Sequence, residues 1–89
     1  MTPRRVTVYS GSDCCLCDQA IAMIERVSAD VPLALEVVDI HADPALAARY
    51  RTSIPVVAVD GEVVMEGKVT EFWLRKALAG EAISRFRLL

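Results

Sequence analysis

The chain has 89 residues, of which 54% are hydrophobic and 25% are charged, and its formal net charge is −2. This length fits a single domain over residues 1–89, and the composition excludes an intrinsically disordered chain. We expect no partnership with nucleic acid or an anionic membrane, and neither a membrane span nor a signal peptide. Three cysteines, an odd number, do not suit a secreted disulfide framework, so we expect a cytosolic protein.

Alternating and helical hydrophobic patterns predict the elements along the chain. Asp43 before Pro44 is typical of a helix start, and Asp60-Gly61 is typical of a two-residue hairpin turn because both positions need positive φ. Gly80 lies where the last helix should stop, and residues 81–89 could form a short helix or an arm. In chain order we expect strand 6–9, helix 16–27, strand 33–40, helix 44–50 with Asp43 as its cap, strands 56–59 and 62–65, and a helix from residue 69 or 70.

This β-α-β-α-β-β-α order predicts an α/β fold. The helix between the first two strands requires a crossover, so these strands should be parallel, whereas the last two should form an antiparallel hairpin. A four-stranded mixed sheet flanked by about three helices on its two faces satisfies both demands. Strand 33–40 is largely apolar and is therefore expected inside the sheet. Phe72 and Trp73 in the last helix are expected to pack in the core.

Cys14 and Cys17 begin the first predicted helix and are the residues that say most about function. Two thiols three positions apart on a first helical turn lie on one side of it, close enough to form a disulfide. Ser12 or Asp13 could cap this helix, whose free N–H groups and dipole favour a thiolate. The pair therefore predicts a reversible redox site.

Several segments together resemble a known fold over about residues 5–80. They are Tyr9-Ser10 with Cys14-Cys15-Leu16-Cys17, then Val38-Asp39-Ile40, Ser53-Ile54-Pro55-Val56 and Glu66-Gly67. The sequence with these segments resembles the thioredoxin-like fold and, within it, a glutaredoxin-like subgroup of small proteins. The resemblance implies a cis peptide bond between Ile54 and Pro55. It also implies substrate binding at Ser53, Ile54 and Pro55, where an extended peptide or glutathione would pair with the Ile54 backbone.

The sequence departs from glutathione-using glutaredoxins at two places. Ser12 and Asp13 stand where a basic residue usually precedes the first cysteine, and Glu66-Gly67-Lys68 replaces a Gly-Gly pair with a following acidic residue. The electron source therefore stays open between glutathione and a thioredoxin reductase.

The resemblance implies a thiol–disulfide oxidoreductase that reduces protein or low-molecular-weight disulfides in the cytosol. Cys14 would attack a substrate disulfide, Cys17 would resolve the mixed disulfide, and Cys15 is expected to be a spacer. A carboxylate at Asp13 opposes ionisation of Cys14, so we expect its pKa only moderately below the value of about 8.5 for a free thiol, and a reducing couple. We expect a monomer without a cofactor, apart from glutathione as a co-substrate. Its partners would be a disulfide-bearing protein or glutathione, and a reductase that recharges the dithiol.

Two other interpretations of the sequence stay open. The three cysteines and His41 supply enough ligands for zinc, and one cysteine with glutathione could share an iron–sulfur cluster between two chains. Adjacent Cys14 and Cys15 make tetrahedral closure around zinc awkward. Alternatively, a redox-silent module would keep the fold and use the Ile54 edge only to bind peptides.

Overall fold

The structure, a computed structural model, describes residues 4–12 and 14–79. In this part of the chain no helix is long and apolar enough to cross a membrane. The helix stop expected at Gly80 and the helix or arm expected over residues 81–89 lie outside the described residues. The elements in chain order are β1 (Arg4–Ser10), α1 (Cys15–Val27), β2 (Leu33–Asp39), α2 (Pro44–Tyr50), β3 (Val56–Val59), β4 (Glu62–Glu66) and α3 (Glu71–Leu78). A short 3-10 turn at Ile40–Ala42, which was not predicted, lies between β2 and α2.

The described strands form one mixed sheet in the order β2-β1-β3-β4. β1 runs parallel to β2 and antiparallel to β3, and β3 and β4 are antiparallel neighbours. The predicted crossover and hairpin are therefore confirmed. Tyr9 pairs with Val56, so the end of β1 and the start of β3 meet at one end of the sheet.

β2 lies at an edge of this sheet, so the prediction of an interior strand was wrong. β1 takes an interior position because it pairs with β2 on one side and with β3 on the other. Leu33 and Leu35 of β2 pack against the core, whereas Val37 is 47% exposed. The apolar run of β2 therefore indicates partial cover and not a central position.

The hairpin turn is formed by Asp60 and Gly61, as predicted, with φ values of 52° and 88°. Asp60 is also tied to the start of β1, because its Oδ1 accepts a hydrogen bond from the Arg5 N–H at 3.0 Å. Its Oδ2 lies 2.8 Å from Nη1 of Arg4. The Arg5 N–H first, and the Arg4 guanidinium second, hold the pKa of the Asp60 carboxyl below its usual value.

Side-chain caps begin the two later helices. Oδ1 of Asp43 accepts from the Ala45 N–H at 2.9 Å, and Pro44 occupies the first turn, as predicted for α2. Oγ1 of Thr70 accepts from the Trp73 N–H at 3.4 Å at the start of α3.

Apolar side chains cover both faces of the sheet, as expected from helices on each side. The core under α1 and α3 contains the buried residues Val6, Val8, Met23, Ile24, Val27, Val57, Val59, Leu74, Ala77 and Leu78. The core under α2 contains the buried residues Ile40, Tyr50 and Val56. The second core lies at the end of the sheet where β1 ends, because Tyr9 packs against it with its ring 5.0 Å from that of Tyr50.

Phe72 is outside the core, so the prediction for this residue was wrong. Its side chain is 60% exposed, whereas Trp73 packs against the core under α1 and α3. The buried residues of α3 are Leu74, Ala77 and Leu78, whose spacing of three and four defines a stripe that excludes Phe72. Phe72 instead meets the Trp73 ring edge-on, with the ring centroids 4.8 Å apart.

Candidate active site

Cys14 is the N-cap residue of α1, with extended backbone at φ −111° and ψ 99°. Its Sγ accepts a hydrogen bond from the Cys17 N–H at 3.1 Å, where a Ser or Asp oxygen acts in most caps. The prediction that Ser12 or Asp13 caps α1 was therefore wrong. The helix begins at Cys15, so the residue directly before its first position, and therefore its cap, is Cys14.

The sulfur atoms of Cys14 and Cys17 face each other and form a disulfide. The two Cα atoms are 5.2 Å apart, within the usual disulfide range of about 4.4–6.8 Å. The expectation that one helical turn brings these two sulfurs together is confirmed.

The three cysteines differ sharply in exposure. Cys17 is 1% exposed, Cys14 is half-buried, and Cys15 is exposed with a free thiol. Cys17 lies on the buried stripe of α1 with Ala20 and Ile24, three and four positions apart, and is therefore held in the core. Of the two bonded cysteines, Cys14 is therefore the more exposed to solvent.

The Ile54-Pro55 peptide bond is cis, as the resemblance implied. The segment that contains it is held from two sides. The N–H groups of Ser53 and Ile54 donate to the Tyr50 carbonyl at 2.8 and 3.1 Å. The Gly67 N–H donates to the carbonyls of Ser53 and Pro55, both at 2.8 Å. Gly67 thus fixes this segment to the end of β4.

The Ile54 backbone is only partly available for pairing with a substrate. Its N–H is already bonded to Tyr50, but none of the backbone hydrogen bonds in residues 4–12 and 14–79 is accepted by its carbonyl. The sequence did not reveal this difference between the two groups, since it depends on how α2 ends.

The loop between β1 and α1 contacts the segment around Pro55. A methyl group built on Gly11 would lie 2.9 Å from Cδ1 of Ile54 and 3.1 Å from Nε2 of His41. Gly11 therefore allows a close approach between the chain leading to Cys14 and the residue before Pro55.

His41 lies in the 3-10 turn after β2, where its N–H donates to Oδ1 of Asp39 at 2.9 Å. In the described residues, no three His, Cys, Asp or Glu side chains are arranged to hold a metal ion. Within this part of the chain, His41 and the three cysteines therefore do not form the four-ligand zinc site that their number allows.

A cavity of about 320 Å³ opens between α1 and the loop that follows β4. We call it the α1 cavity. Its lining is Leu16, Gln19, Ala20 and Met23 from the helix, and Gly67, Lys68 and Val69 from the loop. The sequence does not reveal this cavity, because no local pattern connects residues so far apart in the chain.

Residues 5–79 match the family described as glutaredoxin-like domain (DUF836). A solved structure of an X. campestris protein is 30% identical, with 84% of this chain and 96% of that one covered and a TM-score of 0.71. A Nitrosomonas europaea protein is 22% identical, with 88% and 94% covered and a TM-score of 0.77. A mutant thioredoxin from Halobacterium salinarum NRC-1 is also 22% identical, with 86% and 73% covered and a TM-score of 0.67.

No protein with curated annotation matches the chain significantly. The match to the glutaredoxin-like domain extends over most of the sequence, and the similar solved structures, which include a thioredoxin, share its sheet-and-helix architecture. The chain therefore belongs to the glutaredoxin-like domain family, and its α/β structure is a thioredoxin-like fold.

Proposed function

We propose that this protein is a cytosolic thiol–disulfide oxidoreductase that reduces protein or low-molecular-weight disulfides through Cys14 and Cys17. The observation that carries the proposal is the bonded pair at the start of α1, in which Cys14 is half-buried and Cys17 is buried. Such an arrangement suits a reaction in which a substrate meets one cysteine first and the second acts afterwards.

The reaction begins with both cysteines reduced. The Cys14 thiolate attacks one sulfur of a substrate disulfide, which forms a mixed disulfide and releases the other substrate sulfur as a thiolate that takes up a proton. The Cys17 thiolate then attacks Sγ of Cys14 and releases the second substrate thiol. Two electrons pass to the substrate, and the Cys14–Cys17 disulfide forms.

The environment of Cys14 favours its ionised form. The Cys17 N–H points at its sulfur at 3.1 Å, and the N-terminal end of a 13-residue helix carries a partial positive charge. We expect both interactions to stabilise a thiolate at Cys14 once the disulfide is reduced. The opposing effect expected from the Asp13 carboxylate lies outside the described residues. A moderately lowered pKa and a reducing couple stay predictions.

Ser53, Ile54 and Pro55 are proposed as the backbone against which a substrate aligns. The Ile54 carbonyl is the acceptor for a substrate N–H, while Ser53 and Pro55 are held in place by Gly67. A disulfide-bearing peptide paired at Ile54 would lie beside the loop that leads to Cys14, because Gly11 contacts Ile54.

We propose that an external reductant restores the dithiol, either glutathione or a flavin-dependent thioredoxin reductase, and that the protein works as a monomer without a resident cofactor. Coupling the purified protein to each reducing system in turn, with insulin as the substrate disulfide, identifies the donor. A faster rate with one system assigns it, and the absence of reduction with both would contradict the proposed activity.

Cysteine variants provide the direct test of the proposed mechanism. We expect Cys14→Ser to abolish reduction of insulin and of hydroxyethyl disulfide, because the attacking sulfur is gone. Cys15→Ser is the matched control, since Cys15 is exposed and outside the disulfide, and it should keep at least half of the rate. Cys17→Ser should accumulate a Cys14 mixed disulfide, visible as added mass. Equal rates for Cys14→Ser and Cys15→Ser would refute the assignment.

A further inference from the structure

The α1 cavity is joined to both parts of the proposed active site. On one wall, Leu16 belongs to the Cys14–Cys17 turn and is 57% exposed. On the other wall, Gly67 donates its N–H to the Ser53 and Pro55 carbonyls. A group that enters the cavity therefore touches the redox helix and also the loop that holds the substrate-aligning segment.

The lining of the cavity has a definite chemistry. Ala20 and Met23 are buried and form an apolar floor, whereas Leu16 and Lys68 are exposed and form the rim. Lys68 is the lining residue with an ionisable side chain, and its ammonium takes part in none of the ion pairs of the described residues. The site combines an apolar surface with one cation.

The size of the cavity limits what it can hold. Its volume of about 320 Å³ lies at the lower end of the range of roughly 300–1,000 Å³ for small-molecule sites. That space suits a single long side chain better than a large cofactor. A glutamate fits this lining, because its methylene groups can contact Leu16 while its carboxylate approaches the Lys68 ammonium.

We propose that the α1 cavity is a specificity site that binds a glutamate side chain of a disulfide-bearing protein substrate. This inference rests on the proposed reductase function and adds a substrate class to it. The substrate is an extended protein segment with an acidic residue close to its reactive cysteine. Lys68 selects that residue and takes no part in the exchange of sulfur bonds.

Matched peptide disulfides test the inference. Each peptide carries one cysteine in a mixed disulfide with 2-mercaptoethanol, and Glu, Gln or Lys is placed in turn at each of the three positions on either side. We expect one position at which Glu gives a kcat/KM about two- to fivefold above that of Lys, as expected for one solvent-exposed ion pair. The preference should shrink as salt is raised from about 0.05 to 0.5 M.

Charge reversal separates a selecting residue from a structural one. Lys68→Glu should invert the preference, so that the Lys peptide becomes the better substrate at the same position. Lys76→Glu is the matched control, because Lys76 lies on α3 over the Phe72 ring and does not line the cavity. It should keep the Glu preference of the unaltered protein.

The possible failures can be told apart. If the unaltered protein does not reduce hydroxyethyl disulfide, the proposed function itself fails. If it does, but no peptide position distinguishes Glu from Lys, the specificity site is wrong. The specificity site is also wrong if Lys68→Glu and Lys76→Glu change the preference for Glu equally. It is wrong too if Lys68→Glu changes only the reduction of glutathione disulfide, and that result would assign the cavity to glutathione.

Discussion

Gly67 and Gly61 offer a controlled test of how the candidate active site is held together. Both have positive φ, 75° and 88°, and a methyl group added to either would meet no atom within 4 Å. Alanine at each position therefore introduces backbone strain without a steric clash. The two glycines differ in place, since Gly61 lies in the hairpin turn and Gly67 holds Ser53 and Pro55.

The cost of each substitution follows from the backbone conformation. A non-glycine residue in the left-handed region costs about 1–2 kcal/mol, and the reduced freedom of the unfolded chain returns roughly 0.4–1 kcal/mol. We therefore expect Gly61→Ala and Gly67→Ala each to lower the free energy of unfolding by about 1 kcal/mol. For a domain of this size, that loss corresponds to a fall in Tm of roughly 4–8 °C. Urea denaturation monitored by circular dichroism measures both variants.

We expect kcat/KM for insulin reduction to distinguish Gly67→Ala from Gly61→Ala. The Gly67 N–H is shared between two carbonyls. A hydrogen bond contributes only about 0.5–1.5 kcal/mol net, so these bonds cannot fully hold a strained alanine in place at position 67. The loop after β4 should shift, which we expect to lower kcat/KM for insulin reduction several-fold. Gly61→Ala should stay within about twofold of the unaltered protein. Equal activity losses, or a destabilised Gly67→Ala with unaltered kinetics, would refute the positioning role of Gly67.

Two further predictions concern stability. Because the folded-state pKa of Asp60 is lowered, its contribution to stability is present above its unfolded pKa, about 3.8, and is lost as pH falls through the lower folded value. Asp60→Asn should therefore be less stable than the unaltered protein at pH 7 but approach it at pH 2–3 in urea denaturation, and a constant difference would argue against a lowered pKa of Asp60 from its bonds to the Arg5 N–H and Arg4. Leu74→Ala should lower the free energy of unfolding by about 2–5 kcal/mol, because this side chain is fully buried. Phe72→Ala on the same helix is the control and should cost under about 1 kcal/mol, and similar losses would contradict the assignment of Phe72 to the surface.

Local signals in the sequence were sufficient for much of the fold. Asp60-Gly61 predicted the hairpin and Asp43-Pro44 predicted the start of α2, because each signal lies within two residues and depends on backbone conformation. Such signals do not fix the neighbours of a strand in a sheet. The apolar run of β2 was consistent with an interior position, but the pairing of β1 with β3 leaves β2 at the edge.

The disulfide pair was predictable for the same reason, since one helical turn brings Cys14 and Cys17 together whatever the rest of the chain does. The different exposure of the two sulfurs was less accessible to sequence reasoning. It depends on which face of α1 meets the sheet, a face shared by Cys17, Ala20 and Ile24. The cap was predicted at Ser12 or Asp13, and not at Cys14, because a cysteine is not among the residues expected at that position.

The position of Gly67, which holds Ser53 and Pro55, depends on an irregularity in β4 that no local sequence pattern predicts. Val57 pairs with Met65 but Ala58 pairs with Val63, so Val64 is an extra residue that forms a β-bulge. With regular pairing, Val56 would face Met65 in place of Glu66. Glu66 would then take the position after β4 that Gly67 occupies. The bulge therefore brings the Gly67 N–H to the Ser53 and Pro55 carbonyls and sets the loop wall of the α1 cavity. The disulfide comes from a four-residue segment, whereas its surroundings depend on the register of a distant hairpin.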